Sequence, residues 1–452
     1  MDRLKKLFQG EQAYEPITED STGADGHGSP SRKQRPFSYI EYTIFLLLGI
    51  SMLWAWNMFL AAGPYFLQRF RDNDWMSDNF QAAEISVSTV TNLGTVLLLT
   101  YLHANASYPK RIASSLLINL VTFSLLALFT KAFVDIGSRG YFAFLMIMMF
   151  LASLAAGLCQ NGIFAYVSGF GQPVYTKGIM TGQAIAGVLP CIAQIATVLS
   201  VSEHRPPPTL PDGKAPHPPG PPPVHPNSAF AYFLTATAIS VITLAAFTYL
   251  LARNRQPQKL QNSTSPDDES DECRAIPMRI IFRKTFWLAC AVFVTFGVTM
   301  VFPVFTQRIV SVRPIHDQPR ILHPPSFIPL AFLFWNTGDL IGRLITAVPS
   351  LTLTHRPRLV FVLAVLRVGF VGLYHLCNVR GKGAIVPSDF FYLVVVQLFF
   401  GLTNGYLGST CMIGAGEWVE PEEREATGGF MGLCLVGGLT AGSLASFFVA
   451  GV

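Results

Sequence analysis

The chain has 452 residues, of which 51% are hydrophobic, 12% aromatic and 13% charged, with a formal net charge of +5 at pH 7. A soluble globular domain carries about 25% charged residues, so this composition excludes one and points to a polytopic membrane protein whose surroundings are the lipid bilayer. The mild positive charge belongs to topology and implies no nucleic-acid partner, and the seven cysteines show neither a disulfide framework nor a zinc spacing.

Residues 1–36 are polar and rich in Gly, Ser and charge, and read as a disordered cytosolic tail without a signal peptide. Within the tail, Tyr14-Glu15-Pro16-Ile17 has the Tyr-x-x-apolar form of a cytosolic sorting signal. Eleven apolar stretches then recur at 39–64, 83–103, 111–133, 141–167, 176–201, 229–252, 284–306, 326–349, 358–378, 389–413 and 427–450. Each is about 20 residues or longer, enough to cross roughly 30 Å of hydrocarbon. The expected fold class is an all-α polytopic membrane protein with eleven transmembrane helices.

An odd number of spans puts the two termini on opposite sides. With the N-terminus in the cytosol, the inner segments hold 19 of the 32 Lys and Arg and the outer segments 11, which is the orientation the positive-inside rule selects. The sequons at Asn105 and Asn262 then face the cytosol and are expected to carry no glycan.

Two loops divide the chain. The outer loop 202–228 includes 11 prolines between Arg205 and Pro226 and reads as an extended spacer, or as a ligand for proline-binding modules. The inner stretch 253–283 is charged and reads as a solvated cytosolic connector. The expected domains are a six-helix bundle over 37–252 and a five-helix bundle over 284–452.

The polar residues inside the apolar stretches are the candidate site. In the eighth stretch Asn336, Asp339 and Arg343 fall within roughly 60° of one another on a helix and form one stripe. Each charge at the centre of a membrane costs about 2.5 to 3.5 kcal/mol on insertion scales, so the stripe faces protein or a water-filled cavity. It is either a binding site or a structural ion pair that locks two helices. Trp56 and Asn57 end the first stretch with a ring able to stack on a flat ligand and an amide able to bond it, while Trp54 fits an interfacial aromatic belt equally well. Gln160 offers a carboxamide in the fourth, for a heterocycle or for a neighbouring helix. Glycines such as Gly182, Gly187 and Gly432 read as close helix contacts. No serial Walker, Rossmann, zinc or nucleophile-elbow motif occurs, so neither a cofactor nor an enzyme is expected.

In these motifs the chain resembles the equilibrative nucleoside transporter family, in its fungal or vacuolar branch. Trp56-Asn57 followed by Tyr65-Phe66, Gln160 before Gly162, and Gly182-Gln183 with Gly187 are similar to its first, fourth and fifth helices. Asn336-x-x-Asp339-x-x-Gly342-Arg343 resembles its eighth-helix signature, and Thr403 to Met412 its tenth. The resemblance implies a major-facilitator-like arrangement of six plus five helices and equilibrative transport of nucleosides, with nucleobases as further cargo, by alternating access. It also implies that Trp56 stacks near the base, that Gln160 bonds it, and that Asp339 and Arg343 bond ribose hydroxyls. Leu60, Phe332 and Asn336 match the outer pathway, and Arg367 a structural arginine. The alternatives are a major-facilitator-type porter for another small solute, or proton-coupled nucleoside transport. A monomer in a vacuolar or lysosomal membrane is expected, with the plasma membrane as the other location.

Overall fold

Hydrocarbon offers no water to backbone polar groups, so a membrane-spanning chain must pair them within its own segments. The computed structural model describes residues 37–70, 72–101, 107–132, 136–200, 226–261, 277–314 and 318–450, and these fold into helices. The N-terminal tail with its Tyr14 motif, most of the proline-rich loop, the middle of the connector and both sequons lie outside the described residues.

The long helices are α1 (Tyr39–Ala61), α2 (Asp74–Tyr101), α3 (Tyr108–Lys131), α4 (Ser138–Gly169), α5 (Pro173–Ser200), α6 (Pro226–Gln261), α7 (Met278–Thr299), α8 (Pro324–Ile345), α9 (Pro357–Leu366), α10 (Phe399–Gly414) and α11 (Arg424–Ala450). Prolines open α3, α8 and α9 at the first turn, where their missing N–H has no partner to lose. Ten segments among the described residues are long and apolar enough to cross a membrane, and they coincide with ten of the eleven expected stretches. The remaining stretch is α8, whose hydropathy is lowered by Asn336, Asp339 and Arg343.

The helices depart from uniform rods where the sequence gives a cause. α7 ends at Thr299 and resumes as Val301–Thr306, because Pro303 has no N–H for the Thr299 carbonyl. α9 breaks at Arg367 and Val368 through tight turns, with Val368 N bonded to Val365 O and Phe370 N to Arg367 O, and resumes as Gly369–His375. A π-helical stretch, Phe391–Leu398, precedes α10. Helix also occupies both ends of the stretch expected to be connector. α6 runs to Gln261, through Asn254 and Pro257, and α7 starts at Met278, so residues 253–261 and 278–283 are helical.

In the first six helices α1 packs on α5 and α6, α3 on α4 and α6, and α2 on α4. In the last five α8 packs on α10, and α7 on α9, α10 and α11. The two sets meet where α5 touches α8 and α10, and where α11 touches α4 and α2. Four of these pairings bring backbone against backbone: α8 on α10, α1 on α5, α11 on α7 at Gly438 and Gly442, and α11 on α4 at Gly428. On α8 and α10, a Cβ added at Gly338, Gly342, Gly401 or Gly405 would lie 2.0, 2.1, 2.0 or 1.9 Å from a carbonyl oxygen of the facing helix. On α1 and α5, a Cβ at Gly49 or Gly182 would lie 2.1 Å from the Ile179 or Leu46 oxygen. Lipid tails give helices no hydrophobic reason to associate, so such small-residue contact is what lets dispersion hold them together.

Candidate functional site

In the stripe of α8, Asp339 and Arg343 are buried and Asn336 is half-buried. Asp339 is 3% exposed and Arg343 6%. Arg343 Nε donates to Asp339 Oδ2 at 2.7 Å, the i, i+4 pairing that the spacing allows. The same guanidinium then leaves its own helix. Its Nη1 donates to the Met180 carbonyl at 2.8 Å and to Gln183 Oε1 at 2.9 Å, both on α5. The other oxygen of Asp339 accepts from Asn404 Nδ2 of α10 at 2.7 Å.

From Asn404 the network continues into α7 and α9. The Thr299 hydroxyl lies 2.7 Å from Asn404 Oδ1 and 2.8 Å from Thr295 O, and can donate to one of them. Thr299 in turn accepts from Arg367 Nη2 at 3.2 Å. Arg367, 2% exposed at the break in α9, also donates to Thr295 O at 2.6 Å and to Thr403 Oγ1 at 3.1 Å, and its guanidinium stands 4.7 Å from the Phe400 ring centroid. One carboxylate and two guanidiniums are thus joined through Asn404 and Thr299 across α5, α7, α8, α9 and α10. Charges so buried need hydrogen-bond partners, and here carbonyl oxygens, the Gln183 amide, two threonine hydroxyls and an aromatic face receive the two guanidiniums.

Asn336, one turn before Asp339, donates from Nδ2 to Phe332 O at 2.9 Å and lies 3.6 Å from Cys191 Sγ of α5. Phe332 meets Phe302 edge to face, with 4.9 Å between centroids. Gln160 is 6% exposed and its Oε1 has no hydrogen-bond partner. An amide oxygen left unpaired in a buried place costs about 1 to 3 kcal/mol, and this carboxamide is not used to join neighbouring helices through that oxygen among the described residues. Leu60 is 52% exposed, and Trp56 is half-buried against the aromatic cluster around Phe59 and Phe66. The structure therefore gathers Asn336, Asp339 and Arg343 into one bonded system with α5. It places Trp56 and Leu60 on α1 with no hydrogen bond to that system.

Asn57 has a structural employment. Pro190 sits inside α5 and has no N–H, which leaves the Ala186 carbonyl without its helical donor. Asn57 Nδ2 supplies one from α1 at 2.8 Å. Replacing Asn57 by leucine should cost about 1 to 3 kcal/mol, the penalty of an orphaned buried carbonyl. Adding Pro190→Ala, which restores the helical N–H, should recover most of that loss. Thermal unfolding of the two single variants and the double variant in detergent checks this, and additive losses would remove the explanation.

Sequence patterns left several partners out. Thr299 and Thr295 are unmarked hydroxyls in an apolar helix, and the Met180 carbonyl belongs to backbone. Asn404 and Gln183 stand within recognisable motifs, but their partners lie 65 and 160 positions away in the chain.

The sequence profile of the family described as Nucleoside transporter matches residues 146–259 and 251–450. Nucleoside transporter FUN26 of Saccharomyces cerevisiae is 28% identical over 470 residues, covering 92% of this chain and 85% of that one. Equilibrative nucleoside transporter 1 of Homo sapiens is 26% identical over 473 residues, covering 90% and 96%. Among solved structures, the major facilitator superfamily transporter FucP in the outward conformation superposes with a TM-score of 0.53 at 14% identity, over 91% of this chain and 96% of that one. The proton:xylose symporter XylE superposes at 0.55 with 10% identity, over 91% and 86%. The fold is that of the major facilitator transporters.

Proposed function

The chain belongs to the nucleoside transporter family, and from that premise we propose that it moves nucleosides down their gradient across a membrane by alternating access. The observation that supports this reading is the α8 stripe. A carboxylate and a guanidinium are held where α8 meets both α5 and α10, so cargo bound there touches elements from both ends of the chain. Ribose hydroxyls, each a donor and an acceptor, suit Asp339 and Arg343 chemically. Trp56 offers its ring to the base and Gln160 its unpaired oxygen to an exocyclic amine, while Leu60, Phe332 and Asn336 belong to the outer approach. Asn57 keeps α5 in place beside them.

The working unit is a monomer of six plus five helices with its N-terminus in the cytosol, in a vacuolar or lysosomal membrane. It catalyses no covalent reaction. Purified protein in liposomes should take up labelled uridine or adenosine saturably without ATP, and should exchange it against unlabelled nucleoside on the far side. Absence of exchange for every nucleoside and nucleobase tested would end this reading. Inhibition of uptake by sugars and not by nucleosides would replace it with a sugar porter.

A further inference from the structure

Backbone contact and side-chain contact are unevenly divided around the stripe. α8 is fused to α10 through Gly338, Gly342, Gly401 and Gly405, and α5 to α1 through Gly49 and Gly182, with no room for a Cβ in either seam. Close-packed backbones transmit strain instead of yielding, so each pair moves as a body. Between the two pairs the contact is of another kind. Arg343 Nη1 crosses from α8 to Met180 O and Gln183 Oε1, and Asn336 Nδ2 reaches towards Cys191 Sγ. Even the tight point at Gly187 is made against the Asn336 side-chain oxygen and not against backbone.

Gln183 is held in register for this contact. It is 5% exposed, and its Nε2 lies 3.7 Å from Met52 Sδ of α1 while its Oε1 is turned to Arg343. Arginine has no acceptor, so only the amide oxygen can meet it. We propose that Gln183 is a positioning residue: with the Met180 carbonyl it forms a catch that holds Arg343 across the α5/α8 seam, and release from this catch lets the α1/α5 pair part from the α8/α10 pair. Parting the seam removes the acceptors of Nη1 but not that of Nε, because Asp339 travels with Arg343 on α8. The freed Nη1 then lacks an acceptor, which a cargo hydroxyl can supply. Cargo and Gln183 compete for one donor, and that competition couples binding to opening. In the orientation proposed above, the catch closes the cytosolic end.

The inference rests on alternating access, but its test needs no cargo, so it can fail while transport stands. Spin labels at Val174, on the first turn of α5, and Val348, just past α8, flank the catch and are 39% and 41% exposed. With Cys273, Cys290 and Cys434 replaced by serine, their separation distribution is measured in lipid nanodiscs by pulsed electron resonance, beside melting temperatures. Gln183→Leu removes the acceptor and should raise the widely separated population at least fivefold. Gln183→Glu puts a carboxylate against the guanidinium and should lower that population. Opposite displacements support the catch. Shifts in the same direction, as a packing role would give, or no shift in either variant, overturn it.

Discussion

Asp339→Asn should destabilise the folded protein by about 3 to 5 kcal/mol, more than any other single change of charge in the network. The reason is the imbalance of the buried groups. Asp339 is the acid bonded into a system that also holds Arg343 and Arg367, at 6% and 2% exposure. Neutralising it leaves two buried guanidiniums without an anion, whereas Arg343→Ala leaves Asp339 bonded to Asn404 and within electrostatic reach of Arg367. The expected order of stability is therefore unmodified protein, then Arg343→Ala, then Asp339→Asn. Thermal unfolding of purified variants followed by a thiol-reactive dye reads this order. Equal losses, or the reverse order, would show that Arg367 does not share Asp339.

Gly405→Ala should be nearly as severe, at about 3 kcal/mol or more, although it adds a single methyl group. Its Cβ would lie 1.9 Å from the Asp339 carbonyl oxygen and 3.0 Å from Arg343 N, so the obstacle is backbone that carries the stripe itself. The clash could be relieved only by separating α8 from α10, which would also break the bond between Asn404 and Asp339. Gly372→Ala is the matched control, since nothing lies within 4 Å of its added Cβ. Expression of folded protein, judged by gel filtration, should collapse for the first and persist for the second. Equal yields would mean that the glycine seam is not what fixes α8.

The helices were legible because hydrocarbon thickness and hydropathy set their lengths almost independently of one another. Ten of the expected stretches reappear as apolar helices, and α8 stands apart for the same reason that it drew attention: its stripe is polar. The stripe was legible because i, i+4 spacing is a local property. What lies across from it was not. Arg343 could be read as bonding Asp339, but its second set of partners comes from α5, and no local pattern says that Met180 O faces it. Asn57 shows the same limit from the other side. Its amide was visible as a polar group in an apolar helix, yet the donor that Ala186 lacks is caused by Pro190, 133 positions later. The break in α9 at Arg367 was equally hidden, because the hydroxyls and carbonyls that receive that guanidinium belong to α7 and α10.

The claim that the stripe serves cargo, and not only folding, is tested most directly by uridine exchange in the double variant Asp339→Asn/Arg343→Gln. Removing one charge of each sign leaves Arg367 as the single buried cation of the network, so the double variant should regain much of the stability lost in Asp339→Asn alone. Folded double variant and unmodified protein are reconstituted at equal density, and exchange of labelled uridine is followed in both. We expect saturable exchange by the unmodified protein, weaker competition by dideoxyuridine than by uridine, and exchange at the level of protein-free liposomes for the double variant. Exchange by the folded double variant at the unmodified rate would contradict the account, and would leave the pair a structural one.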